Sequence, residues 1–249
     1  MRAILTYHSI DPSGSAISVD PGVFGRHIRW LASGRVRVVS LAQLAELPPN
    51  ADAVALTFDD AFENFGDLAA PLLREYRLPA TLFVVPGHVG GTNAWGGVLD
   101  QRVPTLPLLD WAALGRLAED GVTLGAHTLT HPHLTALSGD ELERELAGAA
   151  SRIASETGMT PADVAYPFGD VNAIVAERAG RIFQRGCTTD LRALRAVESP
   201  MLLPRLDMFY LRAPGQLERW GTATFERHLW LRSQARRLRR VLAPAGKSW

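Results

Sequence analysis

Disulfide chemistry is closed to this chain, because Cys187 is its only cysteine. A lone thiol also rules out a cysteine-built metal cluster, so any metal would need imidazole and carboxylate ligands. Long apolar runs are missing too. Nothing approaches about 18 uninterrupted apolar residues, so no membrane span is expected. The 26 basic and 26 acidic side chains cancel, so net charge says nothing about a polyanionic partner, and no nucleic-acid partner is expected. The opening "MRAILTYHSIDPSG" has one Arg and an apolar run far shorter than an export signal's, which makes the expected location cytoplasmic. There is no internal repeat and no convincing linker, so one domain is the expected count for 249 residues.

What the chain does have is a core's worth of apolar residues, 47%, arranged in short runs between amphipathic stretches. Strands are expected at 3–8, 36–40, 53–58, 80–85, 122–127, 163–167 and 186–190. Helices are expected at 21–31, 41–47, 62–76, 110–120, 138–157 and 171–184. Pro21 suits a first helical turn, Ser138 with Glu141 reads as a capping box, and Gly158 as a stop. Strands separated by helices imply parallel pairing, doubly wound or closed as a barrel. Residues 86–109 are too rich in Gly and Pro for a regular element and read as a lid or binding loop.

Two strand ends carry chemistry. "LTFDDAF" (56–62) ends an apolar strand in adjacent aspartates, whose side chains should point different ways and whose charges repel unless a cation intervenes. "GAHTLTHPHL" (125–134) places His127 and His131 four residues apart, so a helical turn or tight loop would bring them to one face. With Asp60 they make two nitrogens and one oxygen, a set that suits zinc or a related divalent ion and leaves room for water. Such an ion would acidify the water, and Asp59 is placed to take the proton. A third stretch, "AYPFGD" (165–170), reads as a turn with the Phe168 N–H free to stabilise an oxyanion.

In this order and spacing, "TFDD", "HTLTH" and "YPFG" resemble the motifs of the polysaccharide deacetylases, carbohydrate esterase family four, over residues 1 to about 212. The resemblance implies a distorted (β/α)7-type barrel over 1–212, with 213–249 as a helical extension. It implies metal-dependent hydrolysis of an acetamide on an amino sugar, with Asp59 as base, Asp60, His127 and His131 as ligands, and Phe168 N–H on the oxyanion. The divalent ion is expected to be Zn2+, with Co2+, Ni2+ or Fe2+ as alternatives. This chain departs from the family pattern twice: Ala165 stands where an Arg is usual, and "LLPRLDM" (202–208) lacks the usual C-terminal His. A branch whose domain is circularly permuted begins with a Tyr-His strand, which this chain's "LTYHSI" also resembles. His8 is therefore the candidate acid and Arg205 the candidate replacement Arg, paired with Asp59. The alternatives are hydrolysis of a non-sugar amide, or a sugar-binding protein that has lost catalysis.

Trp95, Tyr166 and Pro167 are the candidate sugar contacts. His133 is expected in a turn, His88 in the loop, His27 and His228 as surface or boundary residues, and Cys187 as a small strand residue. The tail at 225–241 bears six arginines against one Glu, with Phe225, Leu229, Leu238 and Val241 as an intermittent apolar face. A basic amphipathic helix can lie on an anionic membrane or dock on a protein. The plainer reading is a terminal helix covering the barrel.

Overall fold

The computed structural model describes residues 1–95 and 103–242, with side chains as far as residue 238. Residues 96–102 of the expected binding loop, and the side chains of Arg239, Arg240 and Val241, lie outside that set.

The apolar runs form strands with both faces covered, as parallel strands require. In chain order they are β1 (Arg2–Tyr7), β2 (Ser9–Ile10), β3 (Ser18–Val19), β4 (Arg37–Val38), β5 (Ala53–Phe58), β6 (Ala80–Val84), β7 (Thr123–Ala126), β8 (Asp163–Ala165), β9 (Arg185–Cys187) and β10 (Leu206–Asp207). The main sheet is parallel in the order β10-β1-β5-β6-β7-β8-β9, with β4 on the first half of β5, while β2 and β3 pair separately. Its edges meet through residues 203–207: Leu203 bridges Cys187 in β9, and Leu206 pairs with Leu5 in β1. The result is the expected α/β barrel.

Among the described residues seven α-helices wrap it: α1 (Pro21–Ala32), α2 (Leu41–Glu46), α3 (Ala70–Glu75), α4 (Trp111–Glu119), α5 (Gly139–Thr157), α6 (Ala173–Ala179) and α7 (Ala223–Leu242). The capping box at Ser138 and the left-handed Gly158 (φ 71°) bound α5 as expected. The helix expected at 62–76 instead starts as a π-helical turn, Phe65–Ala69, and continues as α3. Pro71 explains the change, since it has no N–H to donate back into a continuous α-helix. The expected strand at 36–40 shrinks to two residues and that at 186–190 becomes Arg185–Cys187.

Strand alternation divides the core in two. Ala3, Leu5 and Tyr7 of β1 and Val54, Leu56 and Phe58 of β5 face the helices. Ile4, Ala53 and Ala55 face inward, where Phe83, Ala165, Cys187 and Leu203 fill the barrel. Gly125 makes space for Phe83, whose ring would lie 2.5 Å from a Cβ at that position. The same alternation carries Thr6 and Thr57 inward, and then His8 and Asp59 at the open end.

Candidate active site

Register sets the first pair. Thr6 lies opposite Thr57 and Tyr7 opposite Phe58, so the next residues, His8 and Asp59, face each other at the strand ends. His8 Nε2 is 3.6 Å from Asp59 Oδ2, with the His8 side chain 23% exposed and Asp59 buried. The Asp59 N–H donates to Tyr7 O at 3.0 Å, locking the two ends together.

Arg205 reaches Asp59 from the segment that closes the barrel. Its Nη1 and Nη2 donate to the two carboxylate oxygens at 2.6 and 2.7 Å, a bidentate pair. Nη1 also donates to Thr6 Oγ1 at 2.8 Å and Nε to Thr188 O at 3.0 Å, so the buried guanidinium is held on several sides. Burial alone would raise the Asp59 pKa, but Arg205, with His127 and His8 beside it, holds the carboxyl well below its usual range. Ala165, where the family pattern has Arg, is buried in β8, and the guanidinium that meets Asp59 comes from Arg205.

Asp60 does not continue the strand. Its φ of 72° and the 57° of Ala61 swing the chain back across the barrel end, which turns the second carboxylate toward the histidines. Asp60 Oδ1 lies 3.5 Å from His127 Nε2 and 3.6 Å from His131 Nε2. Two donors bound to one zinc ion at about 2.1 Å and the tetrahedral angle sit about 3.4 Å apart, so these spacings fit an ion between them. Asp60 Oδ1 is buried with no hydrogen-bond partner, as an atom reserved for a cation would be. His127 Nδ1 donates to Ala165 O at 2.8 Å, which fixes the tautomer and leaves Nε2 free to ligate. Burial, joined by the nearby His127, lowers the His131 pKa, and a neutral imidazole is the form that binds metal. Burial also raises the Asp60 pKa, with Asp59 adding to it.

The His pair is set by a tight loop rather than a helical turn, with Thr128 at φ 60° and His131 at φ 65°. Thr128 Oγ1 accepts from His131 N–H at 3.1 Å. Glu145 of α5 accepts from the N–H groups of Leu129 and Thr130 at 2.9 and 2.8 Å. Phe168 follows the same habit, at φ 60°. Gly169 and Asp170 N–H make the bonds of that turn, to Tyr166 O and Pro167 O at 2.9 Å each. Of the six non-glycine residues with positive φ among those described, only Arg77 lies away from these three loops. Strain of roughly 1–3 kcal/mol per such residue persists only where the surroundings impose it, and it gathers at working sites.

The aromatic candidates divide. Trp95 stacks on His131 with centroids 4.4 Å apart, and His88 meets its edge at 4.9 Å, so Trp95 is a half-buried wall beside the histidine pair. Tyr166 corrects the expectation of a sugar contact. Its ring is fully buried and its hydroxyl is packed against Gly186, with no hydrogen-bond partner. Pro167 is buried as well, because the chain turns inward there. His133 stacks on Phe168 at 4.2 Å and meets Asp170 at 3.5 Å. His27 is another correction. It is 5% exposed, with Nδ1 3.2 Å from the Tyr7 hydroxyl and Nε2 3.2 Å from Leu211 O, and burial pushes its pKa down to about 4. His228 is half-buried, with Nε2 donating to Tyr210 O at 3.0 Å, and burial pushes the Cys187 thiol up to about 12.

Residues 46–182 match the polysaccharide deacetylase family profile. That span holds Asp59, Asp60, His127, His131 and Phe168, but neither His8 nor Arg205. The chain is 31% identical over 127 residues to a chitooligosaccharide deacetylase of Rhizobium leguminosarum bv. trifolii, 51% of each chain. It is 24% identical over 201 residues to a Staphylococcus aureus poly-beta-1,6-N-acetyl-D-glucosamine N-deacetylase, 76% of this chain and 67% of that one. The fold is similar to that of the Streptococcus pyogenes deacetylase PplD, with a TM-score of 0.69 at 23% identity, over 82% of this chain and 91% of that one. The chain spans only about half to two thirds of the length of the curated relatives it matches.

Proposed function

The chain belongs to the polysaccharide deacetylase family, and from that premise we propose that it hydrolyses the acetamide of N-acetylated amino sugars, releasing acetate and leaving an amine. The observation that carries this reading is the division of neighbours between two adjacent carboxylates. Asp59 is met by Arg205 and His8, Asp60 by His127 and His131.

Asp60, His127 and His131 would hold a divalent ion, zinc first on this donor set, which would lower the pKa of water and draw charge from a carbonyl oxygen. Arg205 keeps Asp59 ionised and aimed, which secures a proton acceptor but makes it a weak one. The attacking water must therefore be acidified before Asp59 can take its proton. As the C–N bond breaks, His8 gives a proton to the departing nitrogen from the far side of the same carboxylate. The Phe168 N–H would donate to the developing oxyanion. Arg205 is a positioning residue, since it acts through Asp59.

Two curated relatives support the substrate class. One is named for chitooligosaccharides and the other for poly-beta-1,6-N-acetyl-D-glucosamine, so their shared element is an N-acetylglucosamine unit rather than a linkage. The test is acetate and free-amine release from oligomers of both linkages by zinc-loaded protein. Equal amounts of both products support the reading. Release from simple non-sugar amides alone would move the chain to another substrate class. The His8→Ala variant should keep its metal and lose turnover by about 100-fold or more, as removal of a general acid does.

A further inference from the structure

Helix α7 gathers charge that the rest of the chain balances. It holds six of the 26 basic side chains and one of the 26 acidic ones, leaving 20 and 25 elsewhere. Its inner stripe is Phe225 and Leu229, both buried, followed by Arg232 and Arg236 over the Tyr210 ring at 5.9 and 5.6 Å. Arg236 also lies 3.9 Å from Asp207. The recurrence at three and four residues is that of one helix face.

The opposite face has no cover among the described residues. Trp230, Leu231 and Leu238 are 60%, 51% and 61% exposed and fall within one arc that also includes Arg227. The remaining exposed large apolar side chains, such as Val197 and Ile174, are scattered singly over other elements. That makes Leu238, expected on the packed face, a residue of the outer one. The helix also sits at the working end of the barrel. Ser233, Arg236 and Arg237 line a small cavity with Thr189 and Asp190, and Thr189 Oγ1 donates to Phe168 O at 3.3 Å.

We propose that α7 docks on an anionic phospholipid surface, with Trp230, Leu231 and Leu238 in the headgroup layer and Arg227 and Arg237 on lipid phosphates. An amphipathic indole flanked by leucines, on a helix of otherwise strongly basic character, is the composition that enters a bilayer interface. Guanidinium forks match phosphate oxygens, and a leaflet rich in anionic lipid adds attraction for each Arg near it. A second copy offering the same face would bring like charges together.

The test is co-flotation of the full chain with vesicles of phosphatidylcholine containing about one third phosphatidylglycerol, against phosphatidylcholine alone. Binding to the anionic vesicles that weakens with salt is expected. The triple variant Trp230→Ser, Leu231→Ser, Leu238→Ser and the double variant Arg227→Glu, Arg237→Glu should each weaken it by about tenfold or more, with thermal unfolding unchanged. Equal binding to both vesicle types, no binding at all, or variants that flotate like the parent would overturn the proposal. So would self-association in solution that the triple variant abolishes, because a second copy would then cover the face. Flotation reads binding alone, so its outcome is independent of whether the chain releases acetate.

Discussion

Replacing Arg205 by Met isolates the electrostatics of the Asp59 site. The guanidinium is 1% exposed and makes two charge-assisted bonds to a carboxylate that is 2% exposed. Removing one partner of such a pair leaves a buried charge uncompensated and costs about 3–5 kcal/mol. For a chain of this size that is a fall of about 10 °C in Tm. The sign with pH is distinctive. In the parent, Asp59 has a folded pKa below its unfolded value, so its stabilisation is present above about pH 3.9 and is lost only as pH falls through the folded value. In the variant, burial dominates and the folded pKa lies above the unfolded one. The deficit therefore grows with pH, by about 1.4 kcal/mol per unit until Asp59 ionises in the folded variant. Urea unfolding of chelator-treated protein between pH 5 and 8, read through the midpoint and slope, measures it. The double variant Asp59→Asn, Arg205→Met removes both charges and should recover most of the loss. A deficit below about 1 kcal/mol at pH 7.5, or one that does not change with pH, would refute the reasoning.

Three further outcomes follow from the same geometry. Zinc at about 100 times its Kd should stabilise the chelated protein by about 2.7 kcal/mol, raising Tm by roughly 5–10 °C, and should do nothing for Asp60→Ala. His27 has a folded pKa of about 4 against an unfolded value near 6.5, so the fold should lose up to roughly 3 kcal/mol as pH drops through that window. In His27→Gln the urea midpoint should be flatter with pH over the same range. Tyr166→Phe removes a buried hydroxyl that has no partner, so stability should hold or rise by up to about 1 kcal/mol and turnover should not change. A loss of turnover in that variant would return Tyr166 to the substrate.

The barrel was legible because its signals are local. Apolar runs such as "AVALTF" and caps such as Ser138 with Glu141 declare strand and helix without knowledge of their neighbours. The Asp-Asp and His-His ligand spacing was legible for the same reason, and chain order with spacing supplied the family. The pairing of Arg205 with Asp59 depends on residues 146 positions apart, and only the absence of the family's usual Arg at Ala165 suggested it. A finer signal was present: "LTYH" (5–8) and "LTFD" (56–59) repeat one pattern, and in register they set Thr6 on Thr57 and point His8 at Asp59. Tyr166 and His27 were misplaced because burial belongs to packing. Nothing local distinguishes a tyrosine that faces a sugar from one wedged on Gly186. Glu145, which ties the His131 loop to α5, was missed because an exposed-face Glu on a helix has the same sequence signature whether or not it caps a loop.

The central claim is that the two adjacent carboxylates divide their work, Asp60 holding an ion and Asp59 moving a proton. Bound zinc and acetate release, measured side by side for Asp59→Asn and Asp60→Asn, test it most directly. The account predicts that Asp59→Asn keeps its zinc and loses turnover by at least about 100-fold, while Asp60→Asn loses both. An Asp59→Asn protein that still releases acetate, or one that has lost its zinc as fully as Asp60→Asn, would contradict it.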